Sequence, residues 1–358
     1  MSLRVAILGA AGYGGSGLLR RLSRHPEVAS LRVASRSFEG RPVQDAWPHL
    51  AGLASGVGAL TFESPDAALQ GVDVAFLATP HGATAPWVHA ALEAGARVID
   101  LSADSRLDAV TYARWYGEHP HPEDLELARY GLVEFHREEL AGAQVVAAPG
   151  CNATAVSLAL TPFVAAGWVS RERAPVCTVL AAASGAGRTP AQGLHFAELA
   201  ENAKPYKVAG THRHLAEIEM TLGRASVEGL THRTQGEIDA WPVSFTPHLI
   251  PGIRGILTSC TFTPSREGSE EDLLEVLHAA YQREALVHVQ ETLPEMKAVA
   301  GTDRALLSVR RDDRTGLVTV FSTIDNLGKG AAGQAVQGFN VAFGFPETTG
   351  LELEGQWP

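Results

Sequence analysis

In Ala148-Pro149-Gly150-Cys151-Asn152-Ala153-Thr154-Ala155, a cysteine follows a Pro-Gly turn and opens a helical pattern, Asn152–Ala166, which is the placement of a nucleophile. Backbone N–H groups at a helix start lack intrahelical acceptors and carry the positive end of the macrodipole. They favour thiolate over thiol and can hold an oxyanion. Such a nucleophile needs a group that takes and returns a proton. Tyr206-Lys207-Val208-Ala209-Gly210-Thr211-His212-Arg213-His214 offers two imidazoles and a guanidinium able to receive phosphate. Ser184-Gly185-Ala186-Gly187-Arg188, after a β run, is a second anion site built on backbone N–H groups and Arg188. Cys177 and Cys260 lie inside strand-like runs and read as packing residues. No CxxC or HxxxH pairing points to a metal.

A second constellation stands at the start of the chain. A strand, Leu3–Leu8, runs into Gly9-Ala10-Ala11-Gly12-Tyr13-Gly14-Gly15 and then a helix. The spacing is G-x-x-G-x-x-G, and its glycines let backbone N–H groups approach a pyrophosphate at the helix start. The next strand ends in Ala34-Ser35-Arg36-Ser37, where an NAD site commonly carries an acid. A guanidinium flanked by hydroxyls suits a 2′-phosphate, so NADP is expected. Thr79, Pro80 and His81 end a third strand and Ser102 follows a fourth, at the carboxyl edge where doubly wound sheets bind ligands.

These residues need two supports. Up to residue 150, apolar β runs at Val5–Leu8, Leu31–Ala34, Val74–Ala78, Val98–Leu101 and Val145–Ala148 alternate with helical patterns at Gly15–Arg24 and Ala85–Ala94. That alternation predicts an α/β, Rossmann-type doubly wound parallel sheet. Longer β runs follow, at Ala174–Ala182, Ile238–Phe245, Gly255–Thr263, Leu306–Arg310 and Leu317–Ile324, with a helix at Glu270–Glu284. They predict an α+β domain with a mainly antiparallel sheet. A last helical pattern, Ala331–Phe343, is apolar on much of its surface and is expected to pack back on the first domain. The expected division is 1–150, completed by 326–358, for the cofactor, and 151–325 for catalysis and dimerisation.

At 358 residues the chain suits two domains. A net charge of −11 argues against nucleic acid or an anionic membrane as main partner. Three cysteines fit a reducing cytoplasm better than a disulfide framework, and the start of the chain shows no export signal.

Gly9–Gly15, Leu77–Gly82, Val98–Asp104, Pro149-Gly150-Cys151, Ser184–Arg188, His212-Arg213-His214, Phe245-Thr246-Pro247-His248 and Asp325–Gln334 together resemble the N-acetyl-γ-glutamyl-phosphate reductase family, in order and spacing over nearly the whole chain. The resemblance implies an NADPH-dependent acyl-phosphate reductase with a glyceraldehyde-3-phosphate dehydrogenase-like fold, working as a dimer or tetramer. It makes Cys151 the nucleophile and His212 the acid/base, with His214 the alternative, and puts Asn326 near the nicotinamide. In this reading His212 keeps Cys151 ionised and later protonates the product oxygen. The substrate is expected against Asn152, Ser184, Gly185, Arg188, His214 and Glu217. The cofactor is expected along Gly9–Gly14, Ser35–Ser37, Thr79–His81 and Ser102.

Two departures bear on the substrate. Arginine-pathway members usually continue PGC with Tyr-Pro-Thr-Ala and HRH with a residue and Pro-Glu, whereas this chain has Asn152-Ala153-Thr154-Ala155 and Leu215-Ala216-Glu217. Both variants are similar to the lysine-pathway branch, which reduces an aminoadipyl phosphate attached to a small acidic carrier protein. That substrate is therefore the leading expectation, with Lys204, Lys207 and His212-Arg213-His214 as a basic rim for the carrier. N-acetylglutamyl phosphate, or both substrates, is the alternative. Aspartate-semialdehyde dehydrogenase and a non-catalytic NADP sensor stand further off.

Overall fold

The computed structural model describes residues 2–230, 239–355 and 357. The chain forms two compact units: Met1–Val133 with Glu139–Pro149 and Ala331–Leu351, and Glu134–Glu138 with Gly150–Gly330 and Glu352–Pro358.

The first unit is built on seven parallel strands: β1 Leu3–Leu8, β2 Val28–Ala34, β3 Phe62–Glu63, β4 Val74–Leu77, β5 Arg97–Asp100, β6 Ala128–Tyr130 and β7 Val145–Ala147. Their order is β3-β2-β1-β4-β5-β7-β6. Alternate side chains of β1 enter two apolar clusters, Val5 and Ile7 in one and Ala6 and Leu8 in the other. A central strand covered on both faces has to be apolar throughout, which is why its sequence shows no alternation. The helix Gly333–Phe343 contributes Ala335, Val336, Phe339 and Ala342 to the cluster around Val5 and Ile7. Its partner from the start of the chain, Tyr13–Leu22, begins before the expected Gly15. Gly14 and Gly15 lie inside the first turn, and at Gly15 close packing excludes a side chain. The edge strands β3 and β6, of two and three residues, have no counterpart in the sequence reading.

The second unit holds a mixed sheet ordered β12-β13-β14-β11-β8-β10-β9. Its strands are β8 Val176–Ala182, β9 Lys204–Pro205, β10 Ser244–Ile250, β11 Ile256–Phe262, β12 Val287–Val289, β13 Ala305–Arg311 and β14 Val318–Ile324. Four neighbour pairs are antiparallel, while β12–β13 and β8–β10 are parallel. The strand expected at Ile238–Phe245 runs instead over Ser244–Ile250, and Ile238 lies outside the described residues. Pro247 hid that strand, since proline ordinarily speaks against one. Cys177 and Cys260 face each other across β8 and β11, both fully buried.

Residues 326–330 and 352–358, expected with the cofactor domain, fall in the second unit. The Asp325 carboxylate accepts the N–H groups of Gly301, Leu327 and Gly328, and Glu352 exchanges two hydrogen bonds with Asp303. Among the described residues no helix is long and apolar enough to cross a membrane.

Candidate active site

In the first unit, backbone shapes the glycine turn. Gly9 has φ +81°, and a β-carbon there would stand 2.4 Å from the Ala78 carbonyl oxygen. At Gly15 a β-carbon would meet Gly9 O and Ala10 Cα at 2.5 Å each. The N–H groups of Gly9 and Ala10 both reach the Ala34 carbonyl at 3.1 Å, tying the turn to the end of β2. Gly12 caps the helix without a side chain, and the first turn holds no acid. The first helical bond runs from Ser16 N–H to Gly12 O, so Tyr13, Gly14 and Gly15 have no intrahelical acceptor. Trp47, which the sequence reading missed, donates its indole N–H to Ala10 O at 2.9 Å.

Ser35 is buried, while Arg36 and Ser37 are exposed beyond β2. The Glu63 carboxylate on neighbouring β3 is taken by Arg32, so it does not oppose a phosphate. Bare glycine N–H groups and an exposed arginine fit an NADP pyrophosphate and 2′-phosphate. Thr79 Oγ1 meets Thr84 Oγ1 at 2.7 Å, exposed Pro80 follows, and His81 Nδ1 accepts the Ala103 N–H at 2.9 Å. Ser102 is buried and gives both its N–H and hydroxyl to Asp100. Burial pushes the Asp100 carboxyl up, opposed by the hydrogen bonds of Ser105 and Ser102. Asp104 accepts the N–H groups of Gly82, Thr84 and Ala85. The carboxyl-edge loops are therefore held to one another by buried carboxylates.

In the second unit Cys151 is the first residue of the helix Cys151–Ala165, one residue earlier than expected, with Gly150 as its cap. Thr154 N–H to Gly150 O, 2.8 Å, is the first helical bond, leaving the three preceding N–H groups without an intrahelical acceptor. Glu217, 1% exposed, accepts the Gly150 N–H at 2.8 Å. A β-carbon on Gly150 would lie 2.5 Å from His214 Nε2, so the imidazole rests on the turn itself. His214 and Glu217 share the helix His214–Glu228, another element absent from the sequence reading although Leu215, Ile218 and Leu222 mark its buried face.

His212 is buried among three rings, with centroids 5.6 Å from Tyr206, 4.7 Å from His214 and 5.2 Å from Phe245. Burial first, then the Lys207 charge, push its pKa down to about 4. Its Nδ1 accepts the His214 N–H at 3.1 Å, which leaves the neutral ring's proton on Nε2. A neutral His212 does not supply the positive charge expected to keep Cys151 ionised. It also takes one charge out of the expected basic rim, where Lys204 donates to Gly193 O at 3.0 Å.

Asn152, 2% exposed, places Nδ2 3.5 Å from the Tyr206 hydroxyl. Tyr206 is a functional candidate that the sequence reading passed over. Burial pushes its phenol up, and the neighbouring Cys151 charge adds to this. Asn326, expected beside the nicotinamide, is engaged at both ends within this unit: Oδ1 takes the Gly255 N–H and Nδ2 reaches Ser184 Oγ, each at 2.8 Å. Gly185 lies beside that amide, while Arg188 is exposed beyond the turn. Cys151, Asn152, Tyr206, His212, His214 and Glu217 thus form one neighbourhood, and Ser184, Gly185 and Asn326 another.

Residues 4–143 match the family described as semialdehyde dehydrogenase, NAD binding domain, and residues 151–326 match semialdehyde dehydrogenase, dimerisation domain. The chain is 46% identical over 355 residues to the N-acetyl-gamma-glutamyl-phosphate reductase of Thermus thermophilus, covering 99% of this chain and 100% of the relative. It is 42% identical to the protein of that name from Symbiobacterium thermophilum, covering 98% of each. Among solved structures, aspartate semialdehyde dehydrogenase II of Vibrio cholerae, complexed with ASA, aligns at TM-score 0.70 with 17% identity over 95% of this chain and 98% of that one. The Candida albicans aspartate semialdehyde dehydrogenase with NADP aligns at 0.69 with 18% identity, again over 95% and 98%. At those identities the shared property is the fold.

Proposed function

Because the chain belongs to the N-acetyl-γ-glutamyl-phosphate reductase family, we propose that it reduces N-acetyl-γ-glutamyl phosphate to the semialdehyde through a Cys151 thioester. The observation that carries this reading is the nucleophile's setting: a cysteine at a helix start whose turn is held by Glu217 and His214.

In this mechanism the Cys151 thiolate, favoured by its helix N–H groups, attacks the acyl carbon. The carbon–sulfur bond forms and phosphate leaves with the electron pair of the broken C–O bond. Bound NADPH supplies the hydride that reduces the thioester. The N–H groups of Tyr13, Gly14 and Gly15, on the turn shaped by Gly9 and Gly12, would hold its pyrophosphate and Arg36 its 2′-phosphate. The N–H groups of the Cys151 helix stabilise each tetrahedral oxyanion, and neutral His212 adds an Nε2–H donor. When the sulfur leaves, it returns to the thiolate that these N–H groups stabilise. Residues 151–326 match a dimerisation family, and we assign the chain a homo-oligomeric state.

The lysine-pathway substrate that led the sequence reading gives way to the glutamyl one, since relatives matching end to end carry the arginine-pathway name. Asn152, where a tyrosine is usual, is the observation that favours carrier-linked aminoadipyl phosphate as the second reading. Both are tested in reverse, by phosphate-dependent NADP reduction with N-acetylglutamate semialdehyde and with carrier-linked aminoadipate semialdehyde. Faster turnover of the first is expected. A clear preference for the second, falling as salt is raised, would move the chain to the lysine branch.

A further inference from the structure

A π-helical turn, Gly328–Ala332, follows β14 and bears on the nucleophile. A β-carbon on Gly330 would stand 2.8 Å from Cβ of Cys151, so the turn's backbone rests on the cysteine. At Gly328 a β-carbon would lie 1.9 Å from the Thr302 carbonyl oxygen, which locks the other side of the turn. Asp325 fastens the beginning of the turn through Leu327 and Gly328 and is itself paired with Arg254 at 2.9 Å. Lys329, between the two glycines, reaches Glu134 Oε1 at 2.5 Å, and both side chains are 0% exposed.

Taking an ammonium and a carboxylate fully out of water costs about as much as their attraction returns. Apolar replacements of similar size often leave stability unchanged or higher. Stability is thus a poor explanation for this pair. What it adds is direction, because a charged contact holds only in a narrow geometry, whereas an apolar side chain tolerates small slides of the turn. We propose that Lys329 and Glu134 are positioning residues that set where Gly330 bears on Cys151, and so where the sulfur sits relative to the N–H groups of its helix. The inference rests on Cys151 being the nucleophile.

The test compares Lys329→Met, Glu134→Leu and the double variant by thermal midpoint, steady-state kinetics and the rate at which iodoacetamide alkylates Cys151. Each single variant removes one side of the Lys329–Glu134 contact in the buried interior and lowers the midpoint. The double variant is expected to regain the wild-type midpoint while kcat stays down by about tenfold or more, with KM for NADPH within about twofold, and alkylation stays slow. Return of both kcat and alkylation with the midpoint would overturn the proposal, since the pair would then be structural only. Should the double variant not fold, Gly330→Ala, which leaves Lys329 and Glu134 in place and presses most closely on Cys151, with Asp325 O and the Ile324 side chain next, must slow alkylation. An unchanged rate there also overturns it. Alkylation needs no substrate, so a wrong substrate assignment shows separately, as wild-type enzyme that alkylates normally but does not turn over N-acetylglutamate semialdehyde.

Discussion

Two turns in this chain each deliver the N-terminus of a helix, Gly9–Gly15 in the first unit and Gly150–Cys151 in the second, and they are made differently. The first is shaped by the absence of side chains: Gly9 and Gly15 have no room for a β-carbon, and the cap has no side chain to offer. The second is held by side chains that arrive from 60 or more residues away, with Glu217 on the Gly150 N–H and His214 packed on Gly150. A site that receives a large, multiply charged ligand can be left as open backbone. A site that forms and breaks a bond to sulfur must fix one atom, and that takes packed neighbours.

Cys151→Ser should break the second site without touching the first. Turnover is expected to fall roughly a thousandfold or more, while NADPH binding, followed by fluorescence titration, stays near wild type. A near-normal rate would refute the covalent mechanism.

Gly9→Ala and Gly150→Ala turn the comparison into an experiment. The first variant forces a residue with a side chain to φ +81° and drives a β-carbon into the Ala78 carbonyl. That conformation alone costs about 1–3 kcal/mol. NADPH binding should be lost or the first unit destabilised, with Cys151 alkylation little changed. Gly150→Ala displaces the His214 ring and should alter alkylation while cofactor binding persists. Equal damage to both readouts by both variants would show that the two turns are not separable.

His212 links the surroundings of Cys151 to pH. Its pKa is depressed from 6.5 to about 4. Above pH 6.5 the ring is neutral whether the protein is folded or not, and it adds no pH dependence. As pH falls from 6.5 towards 4 the unfolded chain takes up a proton that the folded one refuses, so stability drops by about 3 kcal/mol over that window. Urea unfolding at pH 7 and pH 4.5 should show this drop, reduced in His212→Gln. Identical pH slopes in the two proteins would rule out the neutral, buried ring.

The smallest effect is expected at Arg36, which is exposed and works only when a phosphate is present. Arg36→Ala should weaken NADPH by about tenfold, near 1.4 kcal/mol, and leave NADH little altered. Equal losses for both cofactors would mean that Arg36 does not read the 2′-phosphate.

The same contrast explains what could be read from the sequence. The glycine turn, β1, β2, β4, β5 and β7 are local patterns, and the apolar runs of β1, β4, β5 and β7 are consequences of burial on both faces. The turn and helix start that carry the proposed nucleophile were legible for the same reason, since a Pro-Gly turn and a helix lie side by side in the chain. The neighbours of Cys151 were legible only in part. His214 came forward in its local basic cluster and Glu217 through the family resemblance, whereas their helix went unnoticed. Tyr206 reaches the site through the fold, and Lys329 through a buried partner 195 residues away. The ionisation of His212 escaped for a related reason, because it depends on three rings and a backbone N–H from separate elements. No spacing of residues encodes a tautomer.

The Phe339 ring, on the last helix of the chain, packs against Phe76 of β4 and His25 beyond the first helix. Synthesis runs from the N-terminus, so the first unit emerges early with the cluster around Val5 and Ile7 still missing Ala335, Val336 and Phe339. That apolar sheet face must wait through some 180 further residues of the second unit before its own helix arrives to cover it. The earliest-made part of the protein is therefore among the last to finish folding. A ribosome-bound chain truncated before Ala331 should be protease-sensitive in its first 130 or so residues until the final helix is supplied.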